Sequence, residues 1–217
     1  MDTDNFMHFH VLTIFPEMFD SYLRESILKR AILAKRIKVS ILNIRDFTRD
    51  KHKKTDDRPY GGGPGMVMSA EPILRSVNKI KNSNKQKTKI IILSPSGKKF
   101  TNVVAKALQK KYTDIVLISG RYEGIDSRVK KILKADEYSI GDYVLTGGEL
   151  PAMVLIDSIS RQIPGVLGKI ESVEENRVST SEVYTRPEVL EWKKKKYRVP
   201  KVLLSGHKAN IDKWKMK

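Results

Sequence analysis

Residues 89–119 read KIIILSPSGKKFTNVVAKALQKKYTDIVLIS, and their pattern sets the fold class. KIIILS (89–94) and DIVLIS (114–119) are apolar without alternation, which predicts strands buried on both faces. The run from Thr101 to Lys111 between them has helical spacing. Strand, helix, parallel strand is the βαβ unit, so the chain reads as α/β. Upstream, His8 to Phe15 (HFHVLTIF) predicts a strand closed by the Phe15-Pro16 step, Ser26 to Arg36 a helix, and Ile37 to Ile44 an alternating strand. A helix is expected near Ala70 to Lys81, a flexible turn over Lys81 to Lys87, and a helical run from Glu149 to Arg161. No repeat appears at a solenoid period.

Ligands of α/β sheets bind beyond the carboxyl ends of the strands, which directs the search to the segments after Ser94 and Ser119. Both open into glycine, as Ser94-Pro95-Ser96-Gly97 and Ser119-Gly120-Arg121-Tyr122-Glu123-Gly124, and a third cluster runs from Ser139 through Gly141, Gly147 and Gly148 to Glu149. Glycines there let backbone groups approach a flat ligand, and a Cβ at Gly141 is expected to intrude on it. The competing reading of each loop is a tight turn. Neither G-x-G-x-x-G nor the Walker pattern occurs in these loops, which disfavours the common nucleotide folds.

Composition limits the partners. The chain has 217 residues, enough for one domain, or one with a small appendage. Its 40% hydrophobic and 31% charged content supports a core and argues against disorder. With Cys 0, disulfides, cysteine zinc sites and a cysteine nucleophile are excluded, and a reducing cytoplasm is the expected compartment. No apolar run is long enough to span a membrane, and acidic residues stand where a signal peptide carries basic ones. The net charge of +17 favours a polyanion, against the alternative that lysine has accumulated without purpose. Residues 191–217 hold ten Lys+Arg and two acids, with Trp192, Tyr197 and Trp214 among them, a mixture suited to nucleic acid or to anchoring the tail. Arg45, Arg49, Lys51, His52, Lys53 and Lys54 form a second basic stretch. His8 and His10 share a strand face, but two histidines without further ligands do not make a metal site, and none is expected.

Longer motifs are more specific: NIRDF (43–47), YGGGPGM (60–66), GRYEGID (120–126), SIGDYVLTGGELPAM (139–153), SRQIPGVLG (160–168), YTRPEV (184–189) and LLSG (203–206). In this order they closely resemble the bacterial tRNA (guanine-N1)-methyltransferase (TrmD) family over nearly the whole chain. The resemblance implies a SPOUT-class α/β fold with a deep C-terminal trefoil knot, a cytoplasmic homodimer whose subunits complete each other's sites, and a bent S-adenosylmethionine in the knot. The implied reaction methylates N1 of the guanosine just 3′ of the anticodon (guanosine-37), the partner being the anticodon arm of tRNA and neither DNA nor a membrane. It divides the chain into a methyltransferase domain at 1–168, a linker at 169–183 and a basic tRNA-binding segment at 184–217. That segment is shorter than the helical domain usual in the family. By motif position, cofactor contacts are expected from Leu93, Ser94 and Pro95, from Gly120, Tyr122 and Glu123, and from Ile140, Gly141, Asp142, Tyr143, Val144 and Leu145, with Gly147 and Gly148 adjoining.

Methylation at guanine N1 makes its own demands. A sulfonium methyl is already activated, so no metal is needed to create the electrophile, and nothing in the sequence indicates magnesium. The N1 proton must leave, which asks for a general base, and charge developing on O6 asks for a cation. Arg161 holds the family's arginine position in SRQIPG, where it also suits the carboxyl end of a helix. The family's aspartate position falls on Asn176, whose amide cannot hold a proton at neutral pH. Either Glu175 or Glu174 substitutes, or the enzyme is slow, or it has lost activity; the competing reading of the two glutamates is a solvated loop. The alternatives are therefore a degraded tRNA-binding protein and a SPOUT methyltransferase with another RNA target.

Overall fold

A computed structural model describes residues 6–83, 87–167 and 182–216. The chain divides into two compact units, Met1–Leu167 and Gly168–Lys217. The first is built on five strands, β1 (Met7–Thr13), β2 (Ile37–Asn43), β5 (Thr88–Lys99), β6 (Asp114–Ser119) and β7 (Asp136–Ser139). They pair in the order β2-β1-β6-β5-β7, every pairing parallel. The two-residue strands β3 (Asp56–Asp57) and β4 (Val67–Met68) pair antiparallel outside this sheet.

The unbroken apolar character of β5 and β6 has the expected consequence. Ile91, Leu93, Ile115 and Leu117 enter one core, and Ile90, Ile92, Val116 and Ile118 the other. The first core is closed by α1 (Asp20–Leu23), α2 (Ser26–Leu33), α4 (Asn102–Lys111) and α6 (Glu149–Ser160), and the second by α3 (Ala70–Ser83) and α5 (Ser127–Leu133). Each fully buried aliphatic side chain contributes about 1.5–3 kcal/mol, so helices on both faces hold the sheet. Local signals set the helix starts. Thr101 accepts from the Val104 N–H at α4, and Asp126 accepts from the Arg128 N–H at 2.9 Å to begin α5. Helix α6 is apolar nearly all round, burying Ala152, Leu155, Ile156 and Ile159 while leaving Leu150 and Val154 exposed.

Three boundaries differ from the sequence reading. Strand β5 runs on to Lys99, with its register against β7 shifting between Leu93 and Lys98, so Ser94 to Gly97 belong to an irregular strand. Helix α3 extends through part of the stretch read as a turn, as far as Ser83. Helix α2 stops at Leu33, two residues before Lys35 takes a φ of +54°.

In the second unit, β8 (Val189–Trp192) and β9 (Lys195–Arg198) form an antiparallel hairpin, followed by α7 (Lys201–Leu204) and α8 (Lys208–Lys215). Its turn residues, Lys193 and Lys194, both have positive φ. The Tyr184 and Trp214 rings meet at 6.3 Å between centroids. Leu190, Trp192 and Tyr197 remain exposed beside the lysines.

Candidate active site

At the irregular stretch of β5 after Leu93, and beyond the carboxyl ends of β6 and β7, lies a cleft of about 1070 Å³. Its walls are the segment after Leu93, the loop from Gly120 to Ser127, and the residues from Glu137 to Gly148 that follow α5. All three glycine-bearing segments singled out in the sequence therefore meet at one place. Leu93, Ser94, Pro95, Gly120, Tyr122, Glu123, Ile140, Tyr143, Val144, Leu145, Gly147 and Gly148 line the cleft. Gly141 and Asp142 are not among its lining residues.

Close backbone packing holds the loops together. Gly148 N–H donates to the Gly120 carbonyl at 2.8 Å, and Arg121 bridges Gly147. A Cβ on Gly148 would stand 2.7 Å from Ser119 Cα and 2.9 Å from Gly120 N, atoms of a buried strand end that cannot move aside. A Cβ on Gly141 would strike the Tyr143 ring, 2.2 Å away at the nearest carbon. Tyr143 is exposed, so that ring can swing. Gly148→Ala is accordingly expected to weaken binding of an adenosine ligand by roughly tenfold or more, from overpacking of about 1–3 kcal/mol, while Gly141→Ala weakens it less. Calorimetric titration of both variants with S-adenosylmethionine checks the order.

Sequence reasoning passed over the group that fixes these loops. Glu149, fully buried at the first turn of α6, accepts from Thr13 Oγ1 at 2.8 Å and from Arg121 Nε at 2.9 Å. The Arg121 guanidinium also donates to the Thr146 carbonyl at 3.2 Å and lies 4.7 Å over the Phe15 ring. One ion pair thus joins the end of β1, the loop after β6 and the start of α6. Both residues sit inside quoted motifs, GRYEGID and GGELP, and their opposite charges were the available signal. On the far wall Lys130, Lys131 and Lys134 line the cleft, Lys130 paired with Glu137 at 2.6 Å. The YGGGPGM segment adjoins the same loop through Glu123 N–H to the Met66 carbonyl at 3.0 Å and Met68 N–H to the Gly124 carbonyl at 2.9 Å.

Of the residues assigned to chemistry, Arg161 is described. Arg161 caps the carboxyl end of α6, its N–H donating to the Asp157 carbonyl at 3.0 Å, and it is not among the described residues lining the cleft. Glu174, Glu175 and Asn176 lie outside the described residues.

Comparison with known proteins agrees with the motifs. The family model described as tRNA (Guanine-1)-methyltransferase TrmD matches residues 7–217. A tRNA (guanine-N(1)-)-methyltransferase of Clostridioides difficile (strain 630) is 50% identical over 214 residues, covering 96% of this chain and 90% of its own length. The protein of the same name from Thermomicrobium roseum is 51% identical over 212 residues, covering 96% of this chain and 77% of its own. That from Pseudoalteromonas atlantica is 44% identical over 221 residues, covering 100% and 82%. A match spanning both units and every cleft-lining motif places this chain in the tRNA (guanine-N1)-methyltransferase family.

Proposed function

We propose that the chain is an S-adenosylmethionine-dependent enzyme that methylates N1 of the guanosine 3′ of the anticodon in tRNA. The observation that carries this reading is the convergence of the three motif loops on one cleft. The residues present suit the cofactor. Ile92, Leu93, Ile140, Leu145 and Pro151 supply apolar walls among backbone donors and acceptors, in a volume just above the ~300–1,000 Å³ typical of small-molecule sites. Gly148 and Gly120 pack backbone to backbone, a cradle that any Cβ at Gly148 would spoil.

When bound, S-adenosylmethionine supplies a methyl group already activated by its sulfonium. The chain's task is then orientation and proton handling. The three loops hold the adenosine portion, with Tyr122 and Glu123 at the φ-positive turn after β6. The guanidinium of Arg161 stabilises negative charge gathering on guanine O6, and a carboxylate of the 169–183 linker, Glu175 before Glu174, takes the N1 proton. Since Arg161 stands outside the cleft of its own chain, we assign it to the cleft of a second subunit. The exposed Leu150 and Val154 on the same helix supply apolar surface for that homodimer. The contacts of Gly147 and Gly148 with the Gly120-Arg121 loop before α6 are compatible with the trefoil knot of this family. The basic hairpin and α8 are assigned to the anticodon arm, in a cytoplasmic enzyme. Among the described residues no helix is long and apolar enough to cross a membrane.

Transfer of labelled methyl to an unmodified tRNA transcript tests this, with a second transcript substituted at the target guanosine. Label is expected on N1 of the first and absent from the second. Cofactor binding without transfer would identify a degraded tRNA-binding protein, and equal labelling of the substituted transcript would identify another target.

A further inference from the structure

We propose that His8, His10 and Asp114 form a binding site for one Zn²⁺ ion at the amino-terminal ends of β1 and β6. The sequence offers two histidines with no third ligand near them, and the fold supplies it from 104 residues away. Strands β1 and β6 are parallel with His8 opposite Asp114, and residues 8 and 10 project from the same face, so both imidazoles stand beside one carboxylate. His10 Nε2 is 3.0 Å from Asp114 Oδ1, and His8 Nδ1 is 3.8 Å from the same oxygen. One donor atom from each residue lies within 4.8 Å of the others. Ligands held tetrahedrally at about 2.0–2.2 Å from zinc are roughly 3.3–3.6 Å apart, so the two spacings to Asp114 Oδ1 match to within about 0.5 Å and the pair of histidine nitrogens closes by at most about 1.5 Å through ring rotation.

The outward-facing atoms are already tied. His8 Nε2 is bonded to Ser40 Oγ at 2.8 Å, which turns Nδ1 inward, and Thr113 Oγ1 donates to Asp114 Oδ2 at 3.0 Å, which leaves Oδ1 facing the histidines. Such outer partners are what orient the ligands of metal sites. The rings of His8 and His10 lie 3.8 Å apart between centroids at 35°, with an edge of each toward the carboxylate. Side-chain exposures of 15%, 8% and 2% for His8, His10 and Asp114 leave an approach at the His8 edge for the ion and a water as fourth ligand. Two imidazole nitrogens and a carboxylate oxygen suit zinc among the divalent ions. The site lies at the opposite end of β6 from the cleft, so the ion clasps β1 to β6 and takes no part in methyl transfer.

The test uses the whole chain without a histidine tag, freed of metal by chelator, titrated calorimetrically with Zn²⁺ and spectroscopically with Co²⁺. One ion per chain and a visible absorption band of four-coordinate cobalt are expected. Asp114→Asn and His10→Gln should each weaken binding at least about tenfold, and Ser40→Ala, which keeps all three ligands, by roughly 10–100-fold. His52→Gln and His207→Gln should leave the affinity unchanged. Circular dichroism verifies folding, and if either buried variant fails to fold, His8→Gln at the more exposed edge carries the same expectation. Absence of saturable binding in the parent would overturn the site. So would unchanged affinity in the ligand variants, or loss of binding in His52→Gln or His207→Gln.

Discussion

Replacing Arg121 with methionine is expected to remove about 3–5 kcal/mol of stability, because among the described residues it leaves the buried carboxylate of Glu149 with only the Thr13 hydroxyl to meet it. At roughly 2–4 °C per kcal/mol for a protein of this size, the melting temperature should fall by about 6–20 °C. The loss comes from an uncompensated charge more than from a missing attraction, which gives the prediction a second arm. Glu149→Gln in the Arg121→Met background removes the stranded charge and restores a neutral partner for Thr13. Most of the lost stability should then return, although Glu149→Gln alone destabilises the parent. S-adenosylmethionine affinity should follow the same pattern, since the pair joins Thr13, Thr146 and Gly147 around one side of the cleft. Thermal melts of the parent, both single variants and the double variant decide the matter. A single variant within about 1 kcal/mol of the parent, or a double variant no better than Arg121→Met, would mean that the guanidinium acts only by packing on Phe15.

The parts of the fold that could be read from sequence are those whose burial is complete and local. KIIILS and DIVLIS declare two buried faces in six letters each, and the parallel pairing of β5 with β6 follows from the helix between them. Strand β7 (DEYS) escaped the same reading because it is a four-residue edge strand, with three of its side chains only half-buried. Helix α5 escaped because Val129 is the only residue of SRVKKIL it buries, too few for a helical period to show. The β8–β9 hairpin turns on Lys193 and Lys194 in left-handed conformations, where an Asn-Gly signal would ordinarily mark the turn, so the stretch reads as an undivided basic tail. For the candidate site, glycine loops after buried strands located the cleft. The pairs that brace it, Arg121 with Glu149 and the Gly148 backbone with Gly120, depend on long-range approach that spacing does not encode. The same holds for Asp114 beside His10, and for Arg161, which the motif names but whose place outside the cleft only the fold reveals.

The assignment of Asn176 to the aspartate position, which the resemblance implies, gives the second large effect. A positioned base contributes about 10²–10⁴-fold, so on the proposed mechanism a site without one keeps orientation and the charge of Arg161 but runs slowly. If the base has simply been lost, Asn176→Asp should raise the single-turnover methylation rate at least about tenfold, and Glu175→Gln should leave it unchanged. If Glu175 has taken over, Glu175→Gln should collapse the rate by about 10²-fold or more, and Asn176→Asp should add little, because two adjacent carboxylates disfavour each other's ionised forms. Glu174→Gln measures the general effect of removing a linker charge. Rates are compared at saturating cofactor and tRNA, so that a change reports the chemical step and not a weakened complex. Should all three variants match the parent, the N1 proton leaves by a route that does not involve this linker, and the assignment of a carboxylate base fails.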